Sequence, residues 1–355
     1  MKPNGNRAPL DRHLIVPFFI PHMGCPHQCV FCNQRTITGK SAQTPTAEAL
    51  HTEVKRFLKH AKKRYASIQI SFFGGNFLGL SPDTIKALLN AAVPFVRRGE
   101  VDSLRFSTRP DTITPQALAA IADDPVSTVE LGVQSMHDSV LKAAARGHRA
   151  MDTVRAAALI KARGYQLGLQ MMVGLPGDND AGAIATAHAL AALKPDFVRI
   201  YPTLVLAGSP LAELFRCGRY HPMALDACVT LVKQLFLIFK AQRIPVVRMG
   251  LQASDGLADP ASLLAGPYHP AFGHLVYSEI VLDAIQGVLA HGQDPPRNLS
   301  IVTHPRMVSR VQGLNKRNLR HLQAAYHLEE IVITQDARFA PNQIRVGSQT
   351  LYLDA

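Results

Sequence analysis

The chain has 355 residues, 47% hydrophobic and 18% charged, which suits a soluble globular protein with room for one large domain and a small one. No apolar run is long enough to span a bilayer, and Met1–Arg12 lacks the apolar heart of a secretory signal. Five cysteines, three of them clustered, argue against a disulfide framework and for the reducing cytoplasm, while 38 Lys plus Arg against 26 Asp plus Glu, a net +12, favours a polyanionic partner, nucleic acid first, without requiring one.

His13–Ile20 reads as a first strand, and a cysteine-bearing loop follows it directly. Thr44 and Pro45 then predict a helix start, as cap and first-turn residue. Leu50, Val54, Phe57, Leu58 and Ala61 are spaced for one helical face. The basic run Lys55, Arg56, Lys59, Lys62, Lys63 and Arg64 reads as the wet face of that helix. Ser67–Phe73 is the next strand, and Ser81-Pro82 opens a helix with Ile85, Leu88, Leu89 and Ala92 inside. Leu104–Ser107 is a strand, Thr114-Pro115 opens another helix, and Thr128–Val133, Gln166–Val173 and Phe197–Tyr201 are further strands. The pattern makes about six β–α units. Strands separated by helices run parallel, and chemistry then collects in the loops after the strand C-termini.

Beyond Pro202 the pattern changes. Residues 222–242 read as a helix, Ile244–Met249 as a strand, and 251–275 as ordered loops rich in Gly, Pro and Ala. Gln293-Asp294-Pro295-Pro296 marks a linker, and the remainder reads strand, helix, turn, helix, strand, strand. The expected fold is α/β: a parallel (β/α)6 partial TIM-type barrel with a C-terminal extension over 1–292, then a small basic α/β module over 297–355.

The cysteine loop reads Cys25-Pro26-His27-Gln28-Cys29-Val30-Phe31-Cys32. Three thiolates so close can hold a cubane iron–sulfur cluster and leave its fourth iron open, as a reaction site needs. Phe31 is placed to shield it. A zinc knuckle completed by His22 or His27, or three inert thiols, are the other readings; zinc ordinarily takes a second ligand pair farther along, and none is evident. Gly74-Gly75 follows the second strand and lacks side chains where backbone must approach a ligand closely. Cys217 and Cys228, with no close cysteine triad around them, read as core or surface thiols.

The cysteine spacing, with an aromatic residue before the last cysteine, looks like the signature of radical S-adenosylmethionine (SAM) enzymes. Four segments follow in order: Ser107-Thr108-Arg109-Pro110-Asp111, Glu130-Leu131-Gly132-Val133-Gln134-Ser135, Arg146-Gly147-His148, and Gly168 through Gly177. Together they resemble the radical SAM domain of the elongator catalytic subunit, a tRNA-modifying enzyme, and are more distantly similar to oxygen-independent coproporphyrinogen oxidase. The resemblance covers roughly 13–275. It implies a 4Fe–4S cluster on Cys25, Cys29 and Cys32. It also implies SAM contacts from Gly74, Gly75, Gln134 and Gln170, with Arg146 paired to the SAM carboxylate. The family often has glutamate where Ser107 stands, and Glu, Ser or Thr where Asn76 stands. No acetyltransferase domain is expected after the barrel. Pro267 through Gly273 resembles a segment of bacterial elongator-like proteins, which makes Tyr268, His269 and Tyr201 candidates to face a substrate.

Residues 297–320 carry Arg297, Arg306, Arg310, Lys316, Arg317 and Arg320 and no acid. With Gly313-Leu314-Asn315-Lys316 in the turn between two short helices, the tail is similar to the K-homology RNA-binding module, with Lys316 in place of the second glycine. A solvated helical hairpin is the alternative. The expected function is radical SAM chemistry on tRNA or another RNA, with a low-potential electron donor such as flavodoxin or ferredoxin and no membrane partner. The alternatives are the same chemistry on a small molecule such as a tetrapyrrole, or a zinc-stabilised RNA-binding protein. No catalytic residue is singled out.

Overall fold

The structure, a computed structural model, describes residues 13–20, 24–33, 46–61, 65–252, 255–290 and 297–353. Thr44, Pro45, His22, Lys62, Lys63, Arg64 and the linker at 293–296 lie outside the described residues. Two compact units divide the chain: Met1–Pro222 with Ile238–Val247 and Ala253–Gly266, and Met223–Leu237 with Arg248–Gln252 and Pro267–Ala355.

Strand β1 is His13–Phe19, helix α1 Ala47–His60, β2 Ser67–Phe73, α2 Pro82–Arg97, β3 Ser103–Thr108, α3 Pro115–Ala119, β4 Val126–Gln134, α4 Asp138–Ala143, α5 Ala150–Ala162, β5 Gln166–Val173, α6 Asp180–Ala192 and β6 Phe197–Pro202. The strands form one sheet in the order β1-β2-β3-β4-β5-β6, continued by β8 (Val246–Met249), and each pair from β1 to β6 is parallel. This is the parallel α/β partial TIM-type barrel expected. The helix starts follow side-chain chemistry: Ser81 and Thr114 each accept an N–H of the first turn, with proline at the next position. Thr46, rather than Thr44, caps α1. Leu50 and Val54 of α1 are buried while Lys55, Arg56 and Lys59 are exposed, as the apolar spacing requires.

Phe77 stacks on Phe72 and Phe106, with ring centroids 5.0 and 4.7 Å apart, at the C-terminal ends of β2 and β3. Alternate strand residues face opposite sides of the sheet, and one side carries charge: Arg105 of β3, Glu130 of β4 and Arg199 of β6. Glu130 accepts from Arg105 Nε at 2.9 Å and lies 3.0 Å from Arg199 Nε.

Residues 251–275 are not loops alone. They hold a short helix, Asp255–Ala258, and β9 (Leu263–Ala265), which pairs antiparallel with β7 (Val205–Leu206), and they include the start of a long helix, Phe272–Ala290. That helix escaped the sequence reading because it is apolar nearly all round, which leaves no stripe to recognise. Numbered in chain order with α7 (Pro210–Arg216), α8 (Leu225–Ala241) and α9 (Asp255–Ala258), it is α10.

In the second unit, β10 (Asn298–Thr303), α11 (Val308–Gln312), α12 (Arg317–Tyr326) and β11 (Glu330–Gln335) keep the strand–helix–turn–helix–strand order. A hairpin of β12 (Gln343–Val346) and β13 (Gln349–Tyr352) adds one strand more than expected, and the sheet runs β11-β10-β12-β13. Its apolar face covers Val281, Ile285 and Leu289 of α10, together with Met307, Val311 and Leu322. Asn318, buried in this core, donates through Nδ2 to the carbonyls of Ser278 (2.8 Å) and Arg310 (3.2 Å). Asn318→Ala removes both side-chain hydrogen bonds and leaves a cavity in this core, so the full chain is expected to lose about 2 kcal/mol of stability in this unit, read by urea unfolding; a loss under roughly 0.5 kcal/mol would contradict that weight.

Candidate functional site

The cysteine loop leaves β1 at the C-terminal end of the sheet. Cys25 is exposed, Cys29 buried and Cys32 half-buried, with the Cys32 N–H turned back onto the Cys29 carbonyl at 3.0 Å. The loop is tied down at several points. Val30 N–H donates to the Ala144 carbonyl (3.1 Å), Leu211 N–H to the Val30 carbonyl (2.8 Å), and the Asn33 amide to the Ala207 carbonyl. Val30 and Phe31 pack against Val140, Ala144, Met172 and Leu175 on one side and Val205, Leu211 and Tyr220 on the other.

Asn76 makes the tightest attachment. It is fully buried, and its Nδ2 donates to the Gly24 carbonyl at 2.7 Å, next to Cys25. Its Oδ1 accepts from the hydroxyls of Thr108 (2.6 Å) and Thr112 (3.0 Å) and from the Arg109 N–H (3.0 Å). Gly24 has φ +72°, and a Cβ there would sit 2.2 Å from the Asn76 carbonyl, so the approach requires glycine. The sequence flagged Asn76 only as a departure from a family pattern; its side-chain partners come from two segments, one far before it and one far after it in the chain.

Arg146 lies in the loop between α4 and α5 and is 6% exposed. Its Nη1 donates to Cys29 Sγ at 3.2 Å and its Nη2 to the Gly132 carbonyl at 2.5 Å, while its Nε is buried with no partner among the described residues. Gln170 donates to Gln134 Oε1 at 3.2 Å. Gln134 ends β4 at a register shift with φ +71°, a conformation that costs energy for any residue but glycine. A Cβ on Gly132 would stand 2.9 Å from Gln134 Nε2 and 3.5 Å from Arg146 Nη2, so the strand is bare where these side chains converge. Cys29, Gly132, Gln134, Arg146 and Gln170 therefore meet in one place.

Gly74, half-buried with φ +101°, faces the Phe19 ring, which a Cβ would meet at 2.3 Å; Gly75 beside it is half-buried. Tyr201 packs with Val30 and Phe31 and lies 3.5 Å from Arg199. Tyr268 is half-buried, and His269 accepts the Ala271 N–H at 3.1 Å before α10.

Two further side chains escaped the sequence reading as members of the site. Arg109, 3% exposed, grips Asp111 with both Nε (3.0 Å) and Nη2 (2.9 Å), and Nη2 also donates to the Arg146 carbonyl. His148 is buried with neither ring nitrogen bonded among the described residues, and burial first, then the Arg146 charge, push its pKa down to about 4, so it is neutral at pH 7. Cys25, though exposed, has its thiol held above the ordinary value by desolvation and by Cys29, and Arg109 and Arg146 act in the opposite sense.

Three thiols on one loop, with the buried Arg146 donating to Cys29, suit a cluster. Among the described residues, no three His, Cys, Asp or Glu side chains converge to hold one metal ion, as zinc would need. In a cubane each thiolate takes a different iron, so its ligands need not converge. Arg146 Nε and Arg109 Nη1 are buried with no hydrogen-bond partner among the described residues, and each is a donor that an anionic group could satisfy.

A family model for the radical SAM superfamily matches residues 19–190, and one for the radical SAM C-terminal domain matches 195–281, together well over half of the sequence. The chain belongs to the radical SAM superfamily. An uncharacterised protein of Methanocaldococcus jannaschii is 29% identical over 59% of this chain and 67% of its own length. The tRNA uridine(34) acetyltransferase of Methanocaldococcus infernus is 31% identical over 37% of this chain, and the match spans only a quarter (25%) of that protein. Among solved structures, the archaeal Elp3 of Methanocaldococcus infernus superposes with a TM-score of 0.58 at 19% identity, covering 77% of this chain and 63% of the other, a likeness of fold. For this radical SAM protein Asn76 is the residue to test. Asn76→Ala frees the Gly24 carbonyl and leaves the buried Arg109 N–H without its acceptor, so iron bound per chain after anaerobic reconstitution is expected to fall at least severalfold; full iron content would show the clamp dispensable.

Proposed function

We propose that this chain is a radical SAM enzyme that reductively cleaves SAM and acts on tRNA or another RNA in the cytoplasm. The observation that carries it is the buried Arg146, which touches Cys29 and Gly132 and stands beside the Gln134–Gln170 pair. When bound, a 4Fe–4S cluster with an open iron supplies one electron to SAM and releases a 5′-deoxyadenosyl radical. Cys25, Cys29 and Cys32 would hold the cluster, and Phe31 and Val30 would shield it from water. Arg146 would take the SAM carboxylate with a charge-assisted fork, Gln134 and Gln170 would offer amide hydrogen bonds, and the Gly74-Gly75 backbone would meet the methionine amino group.

The RNA reading rests on the tRNA-acting relative and on the second unit. Of its cations, Arg297 pairs with Glu329, Arg317 with Asp226, and Arg310 lies over the Tyr277 ring at 4.4 Å. Arg306, Lys316 and Arg320 are exposed and have no acidic partner among the described residues. They lie in the turn before α11, the turn after it and α12. Gly313 in that turn has φ +69°, and Asn315 and Lys316 are both left-handed, the kind of turn backbone from which a phosphate clamp is built.

Anaerobically reconstituted protein with a strong reductant is expected to show cluster electron paramagnetic resonance (EPR) and to form 5′-deoxyadenosine, and Cys25→Ala to lose both; reconstituted protein with a full cluster and no SAM cleavage would refute the activity. The triple variant R306E/K316E/R320E is expected to lose tenfold or more in tRNA affinity, with a shallower salt dependence, about 0.7 less in log–log slope per phosphate contact on single strands. Its RNA-free SAM cleavage should stay unchanged, and undiminished RNA binding would redirect the search to small-molecule substrates.

A further inference from the structure

The concave face of the sheet carries a charge that the SAM contacts leave unemployed. Alternate strand residues point to opposite sides. On the helix side, Leu104, Phe106, Val129, Leu131, Leu169 and Ile200 are fully shut off from water. On the other side the buried Arg105–Glu130 pair closes the floor, and above it Ser107, Gln170, Arg199 and Tyr201 are only half-buried. The β1–β2 end of that face is apolar: Pro17, Phe19 and Phe73 are half-buried, and the two phenyl rings meet edge to face at 5.3 Å.

Two arginines share one carboxylate on this face. Arg105 is fully employed: Nε and Nη2 donate to Glu130 Oε1, and Nη1 to Gln69 Oε1 at 3.2 Å. Arg199 is not. Its Nε lies 3.0 Å from Glu130 Oε2 without a hydrogen bond among the described residues, and Nη2 and Nη1 reach Glu130 and the Tyr201 hydroxyl only at 3.5 Å. Glu130 is the only carboxylate paired with either arginine among the described residues, so two positive charges meet one negative. The uncompensated charge belongs to the more exposed and more loosely held Arg199. In register Arg199 is opposite Gln170, one strand over from Gln134, and Tyr201 packs against Val30 and Phe31 of the cysteine loop. Cation and phenol thus stand between the floor of the face and that loop. A partly desolvated cation in excess is stabilised by an anion.

We propose that Arg199 and Tyr201 form a binding site for the oxyanion of a substrate with a flat, apolar body: the carboxylate of an organic acid or the phosphate of a nucleotide. A guanidinium takes either group through a paired fork. Tyr201 accepts from Arg199, which leaves its own proton for the anion. The Phe19–Phe73 end of the face receives the apolar body. Arg105 and Glu130 act as the support that holds Arg199 in place. That the ligand is the substrate rests on the radical SAM reading above; that the site takes an anion rests on the two arginines and their one carboxylate.

The test is equilibrium dialysis of the full chain against benzoate and uridine monophosphate, in the R306E/K316E/R320E background so that the tail cations contribute nothing, with reconstituted and metal-free protein in parallel. At least one probe is expected to bind saturably. Its neutral analogue, benzamide or uridine, is expected to bind about tenfold more weakly, and Arg199→Gln to lose about tenfold in affinity. Tyr201→Phe is expected to lose about threefold, and with the neutral analogues it carries the test if Arg199→Gln does not fold. Benzoate as the tighter probe names an organic acid, uridine monophosphate a nucleotide. No saturable binding of either probe overturns the inference, as does equal binding of the neutral analogues. So does binding that Arg146→Gln abolishes while Arg199→Gln and Tyr201→Phe leave it intact. Protein that binds the anion but, once reconstituted, never cleaves SAM sinks the radical SAM reading instead and leaves this site standing.

Discussion

One buried amide holds the arrangement together. Asn76 has no access to water, yet both ends of its side chain are bonded, to the loop that carries the cysteines and to the segment that carries Arg109. Removed from solvent, such a group contributes little if satisfied and costs heavily if broken. It therefore acts as a register pin more than as glue. The close approach of Gly24 allows the pin to engage, and the stacked Phe72, Phe77 and Phe106 beneath keep the Asn76 backbone still. Three loops that would otherwise drift independently become one platform.

Beneath that platform the sheet interior carries a second polar layer. Arg105 and Arg199 share Glu130, and a buried triad of this kind is weak support for stability, because desolvation offsets the attraction. Its value lies in rejecting wrong packings: β3, β4 and β6 satisfy all three groups only in the observed register. Charge below and charge above thus bracket the bare backbone of Gly132. The second unit is organised on other terms, with an apolar helix, α10, covered by a sheet and a single internal amide bridging two helices.

Much of this was legible in the chain. Proline after a Ser or Thr cap marks two helix starts because both residues act locally, within one turn. The strands alternate with helices in a period that any parallel sheet imposes. Cys29, Gln134, Arg146 and Gln170 could be nominated from ordered segments, and the fold brings them together. What was not legible depends on distance in sequence. Asn76 speaks to residues 52 positions before and over 30 after it, and no local pattern encodes that. Arg109 and Asp111 were visible as a motif, but the unused Nη1 exists only once the loops close over it. The helix Phe272–Ala290 vanished for the opposite reason: apolar on nearly every side, it offers no contrast between faces.

The left-handed backbone of Gln134 has a consequence for how this protein can change. Glycine would relax the main chain at that spot but forfeit the amide that meets Gln170. Asparagine tolerates the conformation more readily, yet its amide hangs one carbon short. Every single-step replacement thus surrenders either reach or comfort, which leaves the position pinned by two incompatible demands.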